Sequence, residues 1–335
     1  MKRPLATPIS AKMRRPIENT DKRLTIISDK ASGSPCWRCS DSPCISLENS
    51  TSNLPDIEEL GSIFLTTSSC PFEAISIGRD GYPIVVQEKC IGCGLCLTNC
   101  PTGAINLDES TGTALVNSSV IDNGIFDEKI FEFRKEWSQE IRFEEPNENQ
   151  INLLLSSAKE RLLAGTPATN YLRSRLFVRN SLLSLGAKTA LRTQGANSLL
   201  SELVAQEGDQ TYLIEIETGD DTLDAFRRLV SAAARGIGGL GLEKERLVLI
   251  LILPQLPNRR VDFYRLVRDA RIYLNLRILV IPFAMLMAST ILRRRGLEST
   301  FGGFSVEEGN ESLEEVASAV FGVTFSAALG TRPSK

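Results

Sequence analysis

Four cysteines between residues 90 and 100 have the spacing of a metal-binding motif. They follow a C-x2-C-x2-C-x3-C pattern: Cys90, Cys93, Cys96 and Cys100. Two intervening residues let the chain turn back within sulfur–iron reach, so three thiolates can surround one face of a [4Fe-4S] cube. Gly92 and Gly94 allow the backbone to pass close to such a cube and to point N–H groups at its sulfurs. The pattern therefore predicts a [4Fe-4S] site.

The end of this pattern also occurs earlier in the chain. The segment Cys70–Ile77 (CPFEAISI) matches Cys100–Leu107 (CPTGAINL) at an offset of 30 residues. Each segment continues into alternating apolar residues with a glycine-containing turn, which predicts β-hairpins at 75–86 and 104–116. The chain therefore contains an internal repeat, in which each cysteine-proline ending is followed by a hairpin.

These residues resemble the bacterial-type ferredoxin family with two [4Fe-4S] clusters, over roughly Leu24 to Asn117. The resemblance implies an α+β ferredoxin-like domain built from two cysteine-rich repeats with hairpins. It also implies two sets of cluster ligands. Cluster I would be held by Cys36, Cys39, Cys44 and Cys100, and cluster II by Cys90, Cys93, Cys96 and Cys70.

The first cysteine motif departs from the family pattern. Four residues instead of two separate Cys39 from Cys44, and 25 residues, Ile45 to Ser69, precede Cys70 where the family has three. The polar, acidic composition of this insert is typical of a surface excursion. Two alternatives remain open: a single-cluster protein with a degenerate first site, or a zinc site formed by Cys36, Cys39, Cys44 and Cys70.

Composition narrows the chemistry further. The 335 residues include no histidine, which excludes histidine-dependent nucleophiles, histidine-ligated haem, Rieske clusters and mixed Cys/His zinc fingers. All eight cysteines lie between Cys36 and Cys100 and no signal peptide is evident, so we expect a cytoplasmic protein whose thiolates bind metal. A cube held by four thiolates has no open iron position, and a second cube favours electron transfer over structural bracing.

The elements that must position these cysteines suggest two main domains. We expect a disordered basic tail at 1–23, a two-cluster domain at 24–122, a connecting helix and linker at 123–150, and an α/β domain at 151–335. Residues 1–150 carry a net charge of −7 and residues 151–335 a net charge of +4, which fits modules with different partners. The uncharged segment Ile278–Leu292, with 15 residues, is too short to span a membrane.

The C-terminal region alternates apolar strands with helices. Two continuous apolar runs predict buried strands, and five segments predict helices: strands Arg246–Leu253 and Leu276–Ile281, and helices Ile151–Ala164, Thr222–Arg235, Arg259–Leu274, Ala284–Arg295 and Glu311–Phe325. This alternation predicts an α/β three-layer domain with a largely parallel sheet. The glycine-rich segment 236–241 is expected to form a turn. Gly296 is expected to end the predicted helix Ala284–Arg295.

Three glutamates form the second candidate site. Glu215 and Glu217 lie on one face of a predicted strand, and a paired strand could bring Glu202 near them, giving carboxylates suited to Mg²⁺ or Mn²⁺. The order of these acidic residues and strands along the chain resembles the restriction-endonuclease-like PD-(D/E)xK superfamily, over about Lys188 to Leu253. The resemblance implies catalytic roles for the three glutamates, although Glu217 replaces the usual lysine. The alternative is a strand with solvent-facing, salt-bridged carboxylates, such as a fold relative that has lost catalysis would have.

Three functional classes follow from these patterns. One is an electron carrier that serves a redox partner protein, with the C-terminal domain as a docking or regulatory module. Another is an iron–sulfur nuclease that binds nucleic acid, and the third is a non-catalytic assembly subunit. Five basic residues precede the glutamates and are candidate phosphate contacts: Arg173, Arg175, Arg179, Lys188 and Arg192. The cysteine pattern is more specific than the carboxylate pattern, so it favours electron transfer.

Overall fold

A computed structural model describes most of the chain from the first cysteine onward. The described residues are 36, 44–45, 69–79, 82–100, 103–108, 111–116, 148–164, 166–192, 201–219, 221–257, 262–305 and 310–321. They fall into two compact units that divide between Pro146 and Asn147. The predicted basic tail and the predicted connecting helix lie outside the described residues. No helix in the part of the chain described here is long and apolar enough to cross a membrane.

Unit 1, up to Val116, is built from two short hairpins and a short helix. Its described elements are β1 (Ile75–Ile77), β2 (Pro83–Val85), α1 (Leu95–Asn99), β3 (Ile105–Leu107) and β4 (Ala114–Val116). β1 pairs antiparallel with β2, and β3 with β4, which confirms the two hairpins predicted from the repeat. Gly112 has a φ of +66°, the left-handed conformation that the second turn was expected to need.

Unit 2 begins with a helix that starts at Glu148, within the segment assigned to the linker. Its described elements are α2 (Glu148–Leu163), α3 (Pro167–Leu185), β5 (Lys188–Leu191), β6 (Leu203–Glu207), β7 (Gln210–Ile216), α4 (Thr222–Leu240), β8 (Leu247–Leu253), α5 (Asp262–Leu274), β9 (Arg277–Pro282), α6 (Phe283–Ile291), α7 (Leu297–Phe301) and α8 (Asn310–Phe321). The alternation of helices and strands predicted for this region is therefore present.

The described strands of unit 2 form one sheet in the order β5-β6-β7-β8-β9. β5, β6 and β7 are antiparallel, whereas β7, β8 and β9 are parallel. The prediction of a largely parallel sheet is therefore wrong: the sheet is mixed, because β5 and the β6–β7 hairpin add antiparallel pairs to the parallel half. Every residue of β8 is buried, as expected for a parallel strand covered on both faces. Helices α4 and α5 pack against each other, and α6 packs against α2 and α3.

Two helices end several residues away from their predicted ends within the described part of the chain, and the first is α4. The helix continues through the glycine-rich segment to Leu240, so the predicted turn at 236–241 is wrong. Gly236 is one of the buried residues of this helix. Gly241, with a φ of +69°, takes the left-handed conformation that ends the helix.

The second difference is the end of α6, which comes four residues earlier than predicted. Arg293 takes a left-handed φ of +52° and donates its N–H to the Thr290 carbonyl at 3.2 Å. The Arg294 N–H donates to the Ser289 carbonyl at 2.8 Å. This pair of bonds is a Schellman ending formed around an arginine, so the prediction that Gly296 ends the helix is wrong. Gly296 instead precedes α7.

Candidate functional site

Four cysteines of unit 1 line a single pocket. They are the four that the ferredoxin resemblance assigns to cluster II: Cys70, Cys90, Cys93 and Cys96. Apolar side chains from all four strands complete the wall: Ile75, Val85, Leu107 and Ala114. The two hairpins therefore position the cysteine loop, because each strand contributes a side chain to the same pocket.

Backbone N–H groups point at the sulfurs of this pocket. The Ala74 N–H donates to Cys70 Sγ at 3.4 Å, and the Ala114 N–H donates to Cys90 Sγ at 3.3 Å. Helix α1 begins immediately after Gly94, whose φ is +80°. Donors of this kind stabilise negative charge on sulfur, as cluster ligands require.

The pocket cysteines have unfavourable electrostatics as free thiolates. Burial raises the pKa of Cys93, and the charges of Cys70, Cys96 and Cys90 raise it further. Burial likewise raises the pKa of Cys96, again with a contribution from the neighbouring thiolates. Thiolates gathered this closely need a compensating cation, which iron supplies when a cluster binds. The donor set and its charge therefore fit an iron–sulfur cluster.

Gly92 has a structural role that the sequence did not reveal. Its φ is +74°, and a Cβ built there would lie 2.0 Å from the carbonyl oxygen of Gly112. The cysteine loop therefore lies against the turn of the β3–β4 hairpin. Any side chain at residue 92 would push these two segments apart.

Three of the cysteines assigned to cluster I lie in the hydrophobic core of unit 1. Cys36, Cys44 and Cys100 are buried in this core together with Tyr82, and Cys70, Cys90 and Cys96 pack against it, whereas Cys39 lies outside the described residues. In the described parts of the chain, no group of cysteine, aspartate and glutamate side chains is arranged to hold a single metal ion. The choice between a second cluster and a zinc ion stays a prediction.

Unit 2 brings two of the three predicted glutamates face to face. Leu203 pairs with Ile214 in the β6–β7 register, so the preceding Glu202 lies opposite Glu215. Their residues are 3% and 2% exposed. Glu217 lies one residue beyond β7 and donates its N–H to the Ile252 carbonyl of β8 at 2.9 Å.

Arginines neutralise this group of carboxylates. Arg228 Nε lies 3.5 Å from Glu215 Oε2, and Arg228 Nη2 lies 3.6 Å from Glu217 Oε2. Arg175 Nε lies 3.5 Å from Glu202 Oε2, and Arg192 Nη2 lies 4.0 Å from Glu202 Oε1. The observed cluster therefore resembles the salt-bridged alternative, except that two of its carboxylates are buried.

Burial dominates the titration of the facing pair. It raises the pKa of Glu215 to about 7, with a further contribution from the charge of Glu202, while Arg228 and Arg192 lower it. Burial also raises the pKa of Glu202, against the hydrogen bond from Tyr171 and the charge of Arg175.

Sequence reasoning missed two members of this cluster. Tyr171 donates its hydroxyl hydrogen to Glu202 Oε1, but it lies on α3, far from Glu202 in sequence. Arg228 lies on α4 and also pairs with Asp224. This i,i+4 spacing predicts an ion pair on the helix surface, but it does not predict the contacts of Arg228 with Glu215 and Glu217. Two of the predicted phosphate contacts, Arg175 and Arg179, are buried, with 8% and 2% of each residue exposed. They are therefore not available to a phosphate in solvent.

Known proteins match the cysteine-rich part of the chain. Residues 83–106 match the 4Fe-4S binding domain family. The chain is 42% identical over 55 residues to a subunit of the Na(+)-translocating ferredoxin:NAD(+) oxidoreductase complex of Acetobacterium woodii, covering 16% of either chain. It is 56% identical over 36 residues to an uncharacterized ferredoxin of Methanocaldococcus jannaschii, covering 11% of this chain and 23% of that protein.

A longer match involves an iron–sulfur subunit. The chain is 30% identical over 82 residues to the formate dehydrogenase iron-sulfur subunit of Wolinella succinogenes, covering 24% of this chain and 30% of that protein. The chain therefore spans less than a third of each of these relatives. The domain match, which contains Cys90, Cys93, Cys96 and Cys100, indicates that this chain binds a [4Fe-4S] cluster.

Proposed function

We propose that this protein transfers electrons to or from a protein partner through two [4Fe-4S] clusters in unit 1. The observation that carries the proposal is the pocket lined by four thiols. Three of these thiols, those of Cys90, Cys93 and Cys96, lie within the residues that match the 4Fe-4S binding domain. A cluster bound by four thiolates carries one electron at a time. Unit 2, which contributes no cysteine, would then serve as a docking or regulatory module.

The proposed ligand sets use all eight cysteines. Cys70, Cys90, Cys93 and Cys96 would hold cluster II, and Cys36, Cys39, Cys44 and Cys100 would hold cluster I. The hydrogen bonds from Ala74 and Ala114 to sulfur support the first set. The shared burial of Cys36, Cys44 and Cys100 supports the second set. Two clusters in one small unit favour an electron relay, because bracing requires one cluster only.

A redox protein partner is the second part of the proposal. Three relatives are named as subunits of redox enzymes: a ferredoxin:NAD(+) oxidoreductase complex, a formate dehydrogenase and, in Mesobacillus selenatarsenatis, a selenate reductase. In each case the shared segment covers less than a third of the relative. We infer that this chain likewise passes electrons within a protein complex.

Counting iron in cysteine variants tests this function. Anaerobically reconstituted protein should hold about eight irons per chain, as two [4Fe-4S] clusters require, and dithionite should bleach its visible absorbance. Cys93→Ala and Cys36→Ala should each lose about half of the iron. Thr98→Val, a change at a buried residue of α1 that carries no thiol, should keep all of it. Full iron in Cys36→Ala, or absorbance that no reductant bleaches, would refute the two-cluster carrier.

Metal-dependent phosphodiester cleavage by unit 2 is a second candidate function. It rests on Glu215 lying near the carboxyl end of β7 with Glu202 opposite it, because ligands of α/β sheets bind outside the carboxyl ends of the strands. The test is cleavage of double-stranded DNA with Mg²⁺ or Mn²⁺. Cleavage by the native chain should vanish in Glu215→Gln and persist in Glu245→Gln, which changes an exposed carboxylate. No cleavage by the native chain at any metal concentration would reject this function.

A further inference from the structure

The outer face of the two hairpins of unit 1 carries an exposed apolar patch. Ile84 lies on β2, Val86 directly follows β2, and Leu115 lies on β4; these residues are 51%, 37% and 45% exposed. Successive side chains of a strand point to opposite faces, so Ile84 and Val86 share one face. Gln87 Nε2 donates to the Ala114 carbonyl oxygen at 3.3 Å, which holds the end of β2 beside β4. We call Ile84, Val86 and Leu115 the hairpin patch.

The hairpin patch lies on the opposite side of the strands from the cysteine pocket. Val85 and Ala114 alternate with the patch residues along the chain, and both line the pocket. A single layer of backbone therefore separates the patch from the pocket. A protein packed against the patch would lie about 10 Å from the pocket-lining layer, which is the spacing of packed sheets. The patch is thus a surface at which the redox centre of another protein can approach the cluster proposed for this pocket.

The surroundings of the hairpin patch are uncharged. The strands β1, β2, β3 and β4 contain no charged residue. Ser76 and Asn106, which pair with patch residues across the hairpins, are neutral, and the exposed Glu88 and Lys89 after β2 carry opposite charges. A partner with charged groups at this contact would lose their hydration without gaining an ion pair. The patch therefore favours a partner face that is apolar and uncharged.

The size of the hairpin patch favours short encounters over a stable complex. Three partly exposed side chains cover much less than the roughly 800 Å² that each partner buries in a stable protein–protein complex. Weak electron-transfer encounters bury smaller areas than stable complexes do. The patch therefore has the size and the chemistry of a transient redox contact.

We propose that the hairpin patch is the face through which cluster II exchanges electrons with a redox protein whose docking face is likewise apolar and uncharged. The inference rests on the proposed function, because it requires a cluster in the pocket. One electron leaves the reduced cluster of one protein and reduces the oxidised cluster of the other, and no proton or group moves with it. A second copy of this chain carries the same uncharged face, so it is the defined partner for a test.

Electron self-exchange between copies of the anaerobically reconstituted full-length chain tests this proposal. The rate is measured from the exchange broadening of cluster-shifted NMR signals in half-reduced samples at several protein concentrations. Leu115→Glu should slow the exchange at least about tenfold, because two carboxylates would meet across the contact. NaCl should restore part of this rate by screening the carboxylates and should change the native rate less. The matched control is Leu172→Glu, which adds the same charge at a leucine of α3 that is 50% exposed and should exchange like the native chain.

A second readout requires no electron transfer. In oxidised protein with isotope-labelled methyl groups, the signals of Ile84 and Leu115 should shift as the protein concentration rises, and those of Leu172 should not. If Leu115→Glu holds less iron than the native chain, Ile84→Lys is the second variant and should slow the exchange in the same way.

Three results would overturn the proposal. They are no measurable self-exchange in the native chain, exchange in iron-replete Leu115→Glu that is as fast as in the native chain, and patch methyl signals that stay fixed while exchange proceeds. Failure of the proposed function is distinguishable from these results, because it would appear in the native chain as missing iron or as absorbance that dithionite does not bleach.

Discussion

The backbone N–H of Ser69 donates a hydrogen bond to the carbonyl oxygen of Ile45 at 2.7 Å. The Ser69 hydroxyl also donates to the Cys44 carbonyl oxygen at 2.5 Å. The two ends of the insert that separates Cys44 from Cys70 are therefore joined side by side. Although 25 residues separate Cys44 from Cys70 in the sequence, the residues next to these two cysteines are therefore hydrogen-bonded to each other.

Shortening the insert should leave both cysteine sets intact. Replacing residues 46–68 by a few glycines keeps Ile45 and Ser69 within hydrogen-bonding reach, since a two-residue turn can connect paired strands. We expect unchanged iron content after anaerobic reconstitution. The comparison variant is Ser69→Ala in the full-length chain, which loses the hydroxyl bond to Cys44 and should retain iron less well. Loss of about half of the iron in the shortened chain would show that the insert contributes to a cluster site.

Gly92→Ala should prevent stable cluster binding. The added Cβ would lie 2.0 Å from the Gly112 carbonyl oxygen, and the left-handed φ adds a cost of about 1–2 kcal/mol. We expect the variant to bind less iron and to lose it faster in air. The control is Gly241→Ala, which has a φ of +69° and no atom within 4 Å of the new Cβ. Gly241→Ala should cost only the strain of the left-handed backbone and leave the iron content unchanged. Equal iron contents in the two variants would contradict the close approach of Gly92 to Gly112.

Unit 1 could be predicted well because its information is local. The repeated cysteine-proline endings and the alternating residues after them specify hairpins without any long-range contact, and β1–β2 and β3–β4 are found where expected. The contact between Gly92 and Gly112 could not be predicted, because it joins the cysteine motif to the turn of the hairpin that follows it, and neither pattern specifies how the two segments pack against each other. The sequence indicated a requirement for glycine, but not the backbone that imposes it.

The carboxylate cluster of unit 2 was predictable only in part. Strand alternation and a hairpin turn suggested that Glu202 approaches Glu215, and the register places them opposite each other. Tyr171 and Arg228 belong to helices whose packing on the sheet depends on the whole unit, so no local pattern indicated their contacts. The end of α6 was missed for a different reason. Arg293 takes a left-handed conformation that sequence rules assign to glycine.

Tyr171→Phe should destabilise unit 2. The variant removes the hydroxyl that donates to Glu202 Oε1 and leaves a buried carboxylate oxygen with fewer partners. The expected loss is roughly 1–3 kcal/mol of the free energy of unfolding, measured by urea denaturation. Tyr273→Phe is the matched control, because Tyr273 is 84% exposed and the same hydroxyl deletion there should change little. Equal stability of the two variants would show that the Tyr171 hydroxyl does not support Glu202.

Unit 2 should become less stable as the pH rises from 5 to 8. Burial and the neighbouring charge of Glu202 raise the pKa of Glu215 to about 7 in the folded chain. The folded state therefore binds this proton more tightly than the unfolded state, and the stabilisation present at low pH is lost as Glu215 ionises. We expect the free energy of unfolding, from urea curves in EDTA, to fall by roughly 1–3 kcal/mol over this interval. Glu215→Gln should flatten this dependence of stability on pH. Glu245→Gln should preserve it, because Glu245 is exposed. A free energy of unfolding of the native chain that rises with pH would contradict the raised pKa of Glu215.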